Sequence, residues 1–274
     1  MKQSLIIGWL YPELMSTYGD RGNIIVLQKR CEWRGIGIEL KRLDLKFSAS
    51  DLKKCNILFM GGAQDQQQKI VSSDFSKEKV LALKEMIEAG IPGLYICGAY
   101  QFLGKYYKEA NGDIIKGLNI LNLYTENPGP VHPRLIGNIA IRCHPELVSG
   151  YQTKRDSDLR QNDRKETLIG FENHGGRTYL GKEIKPLGNV LVGFGNNGED
   201  KTEGAVYKNT FGTYLHGPIL PKNPQFADLL ITLALRKKYN DAKICITDIN
   251  NSLEEKAKDN ILQKLKLNNT SNIF

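Results

Sequence analysis

Apolar positions in the first hundred residues alternate between two rhythms. Ser4 to Leu10 is a short apolar run that reads as a first strand, and Ile57 to Met60 is a second that ends at Gly61-Gly62. Between them, Ile24, Leu27 and Cys31 recur at helical spacing in the segment 24–33, and Ile36 to Leu43 alternates apolar residues with glycine or charge as a strand does. The polar, glycine-rich stretch Tyr18 to Asn23 precedes that helix, with Asp20 or Asn23 as its cap. A helix from Lys77 to Ala89, closed by Gly90 and Pro92, leads into a strand that stops at Cys97. Strand and helix in this order predict an α/β fold: a central, mostly parallel sheet flanked by helices.

The second half has a different texture. Short strands are expected at 135–141, 167–171, 189–194, 204–207 and 210–215, which suggests a smaller mixed or antiparallel extension. The stretch from Gln152 to Lys165 is almost wholly polar and reads as an exposed insertion, while Asn119 to Pro130 and Pro218 to Pro224 read as rigid loops. Phe226 to Lys238 is a helix ending in basic residues. Beyond it, Leu253, Ala257, Ile261 and Leu265 mark one face of a charged helix.

Composition narrows the class. The chain has 274 residues, enough for one large domain or two small ones, and no apolar run approaches the roughly 20 residues that span a bilayer. With no signal-peptide pattern, the expected location is the cytoplasm. Five cysteines at 31, 55, 97, 143 and 245 contain no C-x-x-C pair, so neither a disulfide framework nor a metal site is expected. The net charge of +8 permits contact with anions, yet the basic residues are scattered and no nucleic-acid-binding motif accompanies them.

Cys97 carries the chemistry. A residue at a tight strand-to-helix turn points out of the sheet, the following amide on Gly98 is free to face a developing oxyanion, and the helix start favours a thiolate. The alternative is a core cysteine at a strand end. A thiol nucleophile needs a base, and the chain has four histidines, at 132, 144, 174 and 216. His216 follows a strand and ranks first; His144, in Cys143-His144-Pro145-Glu146, ranks second because it also follows a strand and has a carboxylate nearby. His174 lies on a glycine-rich turn. Gly61-Gly62 allow a backbone to approach a ligand closely, and Arg134, in a rigid His-Pro-Arg loop, has the geometry to pair with a carboxylate.

These segments in this order (YPELMSTYGDRGNI at 11–24, GGAQDQQ at 61–67, YICGAYQFLG at 95–104, PRLIGNI at 133–139, GFENHGGRTYL at 170–180 and FGTYLHGPILPKNP at 211–224) resemble the class I glutamine amidotransferase domain. Within it, they resemble the cobyric-acid-synthase-like branch that includes the glutaminase subunits of lipid II isoglutaminyl synthases. The resemblance implies a flavodoxin-like α/β glutaminase domain over residues 1–238, followed by a C-terminal extension at 239–274. It implies that Cys97 attacks the side-chain amide of free glutamine and that His216 moves the proton. Arg134 and Gln101 would bind the substrate, and the Gly62 and Gly98 amides the oxyanion. It implies no cofactor in this chain: ATP and magnesium would belong to a MurT-like Mur-ligase partner, which would use the released ammonia to amidate the D-glutamate of lipid II, with peripheral membrane association at most. Corrinoid amidation and a non-catalytic regulatory subunit are the competing readings. Ala63 and Ala99 stand where the family often has glycine, the run 152–165 looks inserted, and no His-x-Glu pair accompanies His216, which leaves a third catalytic carboxylate unassigned.

Overall fold

The computed structural model describes residues 3–143 and 166–266; His144, Glu146 and the 152–165 run lie outside the described residues. In chain order the first half comprises β1 (Ser4–Leu10), α1 (Arg21–Glu32), β2 (Gly37–Leu43), α2 (Ala49–Lys53), β3 (Ile57–Met60), α3 (Asp65–Asp74), α4 (Lys77–Glu88), β4 (Gly93–Ile96) and α5 (Gly98–Phe102). The second half holds β5 (Tyr106–Lys108), β6 (Ile114–Lys116), β7 (Leu123–Glu126), β8 (Leu135–Cys143), β9 (Thr167–His174), β10 (Arg177–Leu180), β11 (Gly188–Val192) and β12 (Thr202–Glu203). It ends with β13 (Ala205–Tyr207), β14 (Thr210–Thr213), α6 (Ile219–Lys222), α7 (Pro224–Tyr239) and α8 (Ser252–Lys264).

Six strands form the main sheet in the order β13-β14-β4-β3-β1-β2, all neighbours parallel except the β13–β14 pair. Strands β3, β4 and β14 are buried along their whole length, as expected of strands covered on both faces. Because they are parallel and in near register (Met60 opposite Tyr95, Ile96 opposite Thr213), their carboxyl ends open on one edge. Cys97, the Gly61-Gly62 turn and the segment leading to His216 all leave the sheet there, at the place where open α/β sheets bind ligands.

Two four-stranded sheets make up the extension, in the orders β10-β7-β5-β6 and β12-β11-β8-β9. The second is antiparallel, and the first is mixed, since β5 and β7 run parallel. A reciprocal pair of backbone hydrogen bonds between Phe171 and His216, at 2.7 and 3.1 Å, ties the β9 edge to the loop that follows β14. This bridge brings the histidine and the Asn173–Gly176 turn to a common cavity.

The stretch expected to be a rigid loop from Pro218 to Pro224 contains α6 and the start of α7, because proline is compatible with the first turn of a helix. Asn119 to Pro130, also read as a loop, contains β7. On α8, the buried positions are Lys258 and Leu262, with Ile261 and Leu265 packed beside Ala140 and Ile169; Leu253 and Ala257 are exposed. A strict i+4 line drifts by about 40° per step on a helix, so the line through 253, 257, 261 and 265 leaves the buried stripe at its early end. The division at residue 238 falls within α7, and Arg30 and Arg34 reach across to Asn251 and Thr247 of the extension.

Candidate active site

Cys97 has φ +50° and ψ −106°, a left-handed backbone that side chains other than glycine rarely adopt. Its N–H still donates to the Thr213 carbonyl at 2.8 Å, continuing the sheet ladder, and its carbonyl accepts from Gln101 N at 2.9 Å, so the turn is fixed from both sides. Strain held in this way at a strand-to-helix turn is the nucleophile elbow. Gly98 follows, where an added Cβ would meet the Ala63 nitrogen at 3.0 Å and the Gln68 amide at 2.8 Å. The two turns therefore lie backbone to backbone. Neither Ala63 nor Ala99 has a positive φ, so the extra methyl groups cause no backbone strain.

His216 is fully buried. Its Nδ1 lies 3.3 Å from Asp20 Oδ1, while Asp20 Oδ2 accepts the Gly62 N–H at 2.6 Å. Asp20 was expected to cap α1. It sits at the N-cap position but makes no side-chain cap bond, because its carboxylate turns inward to serve the histidine and the glycine turn. The other cap candidate, Asn23, is also buried and accepts from Leu220 N at 2.9 Å. Where no His-x-Glu pair accompanies His216, Asp20 is the carboxylate that the fold brings to its Nδ1. Its signal in the sequence was position: an acidic residue in a glycine-rich loop beyond β1, whose carboxyl end shares the edge that carries Cys97.

Electrostatics separate this histidine from an ordinary buried one. Burial acts to lower the His216 pKa, but the negative charge of a Cys97 thiolate and the Asp20 carboxylate outweigh it and push the value up to about 10. The ring's second nitrogen, Nε2, has no nitrogen or oxygen partner among the described residues. Nearby, the buried Glu203 accepts from Thr213 Oγ1 at 2.5 Å and from Tyr214 N at 2.8 Å, and desolvation raises its pKa to about 8. A mostly neutral carboxyl there anchors the end of β14 without competing for the His216 proton.

A cavity of about 380 Å³ opens in front of this group, lined by Cys97, Gln101, Arg134, Asn173, His174 and Gly176 together with Thr17, Tyr18, Ala63, Gln68 and others. Arg134 donates from Nε to Asn173 Oδ1 and from Nη2 to the Asn173 carbonyl, both at 2.9 Å, which fixes its guanidinium in the cavity wall. Gln101 lies on the wall with its amide engaged at both atoms, donating to Tyr214 Oη at 3.0 Å and accepting from Gln68 Nε2 at 3.2 Å. Its oriented amide supports the pocket wall. The expectation for Gly62 is corrected: its N–H is taken by Asp20, and the neighbouring Ala63 nitrogen, which lines the cavity and donates to no partner among the described residues, is the amide left over. An added Cβ at Gly62 would meet Thr17 Oγ1 at 2.5 Å and the His216 ring at 2.8 Å, so the glycine is required for packing. Sequence reasoning missed Asp20, Tyr18, Asn173 and Gln68 as site residues.

A thiol on an elbow, a buried histidine–aspartate pair and an arginine in the wall of the same cavity are the parts of an α/β thiol enzyme. Residues 6–224 match the CobB/CobQ-like glutamine amidotransferase domain, and the chain belongs to that family: it is a glutamine amidotransferase. It is 42% identical over 224 residues, 82% of each chain, to the lipid II isoglutaminyl synthase (glutamine-hydrolyzing) subunit GatD of Staphylococcus aureus. It is also 42% identical over 235 residues to the GatD subunit of Streptococcus pneumoniae, covering 86% of this chain and 82% of that one. A probable cobyric acid synthase of Methanothermobacter thermautotrophicus is 33% identical over 132 residues, 46% of this chain and 23% of that one. Among the described residues, no helix is long and apolar enough to cross a membrane.

Proposed function

We propose that this chain is the glutaminase subunit of a two-subunit ligase that amidates lipid II. The observation that carries the chemistry is a single cavity lined by both Cys97 and Arg134, with the His216–Asp20 pair beside the thiol. Arg134 pairs with the α-carboxylate of glutamine, leaving the side-chain amide at the sulfur. The thiolate attacks the amide carbon, and the oxyanion that forms accepts from the Gly98 and Ala63 amides. Protonated His216 passes its proton to the amide nitrogen, ammonia departs and a thioester remains. His216, now neutral, takes a proton from water as it attacks the thioester, releasing glutamate and restoring the thiolate–imidazolium pair.

The ammonia serves a MurT-like Mur-ligase partner, on which ATP and magnesium activate the α-carboxyl of the D-glutamate in lipid II for conversion to isoglutamine. The likeness to two GatD subunits over 82% of their length favours this substrate, whereas the probable cobyric acid synthase of Methanothermobacter thermautotrophicus is matched over 23% of its own length. The test is co-expression with a Mur-ligase-like protein followed by assay of glutamine hydrolysis and lipid II amidation. Cys97→Ala should leave the complex assembled and lower glutaminase activity by at least about 10³-fold, since no other cysteine lines the cavity among the described residues. Full activity in that variant would reject the mechanism. Corrinoid amidation in place of lipid II amidation would reject the substrate.

A further inference from the structure

The Tyr-Gly-Asp-Arg-Gly-Asn loop supplies Asp20 to the His216 pair, and its first residue, Tyr18, lines the cavity. Tyr18 lies in a single turn of 3-10 helix, Thr17–Gly19, and adopts φ +54° and ψ +30°. A left-handed backbone is uncommon for a bulky side chain. Core packing does not impose it, because Tyr18 is 49% exposed. The loop is tied to the glycine turn by the Thr17 N–H, which donates to the Gly62 carbonyl at 3.1 Å.

Tyr18 lines the cavity and touches both His216 and Asn173. Its ring packs against the His216 imidazole with centroids 4.9 Å apart and planes at 71°. Its hydroxyl oxygen accepts from Asn173 Nδ2 at 3.0 Å. Asn173 uses its other side-chain atom, Oδ1, to accept from Arg134 Nε, and its backbone carbonyl to accept from Arg134 Nη2. Arg134, which can only donate, sets the orientation of the Asn173 amide, because turned the other way an N–H group would face the arginine Nε–H; the tyrosine hydroxyl holds the other end of that amide in place. One side chain thus covers the histidine beside the thiol and, through Asn173, braces the guanidinium.

We propose that Tyr18 is a positioning residue, a latch that sets the separation and alignment of the two ends of the substrate pocket. The inference rests on the glutaminase reading. In that reading the substrate must span from Arg134 to Cys97, so an error at either end moves the reacting carbon away from the sulfur.

The test uses two reagents that react with the thiol. The glutamine analogue 6-diazo-5-oxo-L-norleucine carries the amino-acid head that Arg134 would hold; iodoacetamide does not. In Tyr18→Phe the ring stays and the Asn173 bond is lost, so half-saturation by the analogue should move about three- to tenfold higher, the effect of one neutral hydrogen bond. Inactivation by iodoacetamide should change less. In an Asn173→Ala background, Tyr18→Phe should add nothing further, because the two act through one link. Tyr18→Ala should in addition alter the pH profile of iodoacetamide inactivation, since the ring no longer keeps water from His216. The shift in thermal melting, measured for each variant, should not track the change in half-saturation. Equal half-saturation of wild type and Tyr18→Phe, or additive effects of Tyr18→Phe and Asn173→Ala, would overturn the latch alone. Wild-type resistance to the analogue would overturn the glutaminase reading, and the latch with it.

Discussion

Two buried histidines, His174 in the cavity wall and His216 beside Cys97, each neighbour a carboxylate, and they behave in opposite ways. His216 has Asp20 at 3.3 Å and Cys97 in front of it, and its pKa is pushed up to about 10. His174 has Glu172 at 3.7 Å, and its pKa is lowered, because burial outweighs the raising effect of Glu172 and of the Gly176 carbonyl. The difference lies in what each carboxylate is already doing. Both oxygens of Glu172 accept backbone N–H groups, from Phe194 at 2.7 Å and Gly195 at 2.9 Å, so that charge is largely spent on the backbone. Asp20 gives one oxygen to Gly62 and keeps the other for the imidazole. The rings are held differently too: His174 lies flat on Tyr214 at 3.6 Å, with Nδ1–H donating to the Gly176 carbonyl at 2.7 Å, which fixes the ring as a strut of the pocket wall. Burial beside a carboxylate does not make a catalytic histidine; an uncommitted lone pair and a facing thiolate do.

The comparison breaks most sharply by removing each ring in turn. His216→Ala should lose at least about 10²-fold in kcat for glutamine hydrolysis, the ordinary worth of a positioned general acid–base. His174→Ala should chiefly raise KM and lower the melting temperature, because it removes a wall residue and leaves Tyr214 unstacked. If His174→Ala were the variant with the larger fall in kcat, the assignment of the two rings would be reversed. A finer cut is Asp20→Asn, which keeps the volume and an acceptor for Gly62 N–H but removes the charge that orients the imidazolium. A loss of about 10²-fold in kcat is expected, the low end of what a positioned acid–base is worth. Wild-type kcat in Asp20→Asn would show that Cys97 and His216 work as a dyad.

How much of this was readable beforehand follows from how local each cause is. The Cys97 elbow is written in a few consecutive residues, an apolar strand and then Gly98, and β1, β3 and β4 were legible for the same reason. Asp20 was assigned to a helix cap because capping is a local rule, while its actual partners lie 42 and 196 positions away. Helix α3 went unread since its sequence, DQQQKIVSSD, is mostly polar and buries only Gln68 and Val71. The short strands β5, β6 and β7 hold three or four residues each, too few to show a period. Arg134 was singled out for its chemistry, but Asn173 and Tyr18, which orient it, are joined to it only through the fold.

The smallest expected effect sharpens the comparison through stability against pH. His174 has a folded pKa below its unfolded value of about 6.5, so as pH falls through that value the unfolded chain takes up a proton that the folded chain refuses. Stability is therefore lost toward acid. His216 has the opposite sign: its contribution is fully present below about pH 6.5 and is lost as pH rises toward about 10. Below pH 6.5, of these two rings, the acid slope belongs to His174 alone. Urea unfolding of wild type, His174→Gln and His216→Gln between about pH 5 and 9 should show that His174→Gln flattens the acid limb by at most about 1.4 kcal/mol per pH unit, one proton's worth. His216→Gln should leave that limb parallel to wild type and instead flatten the decline above neutrality. If both variants changed the same limb, the two buried pairs would share one charge state, and the separation of strut from acid–base would fail.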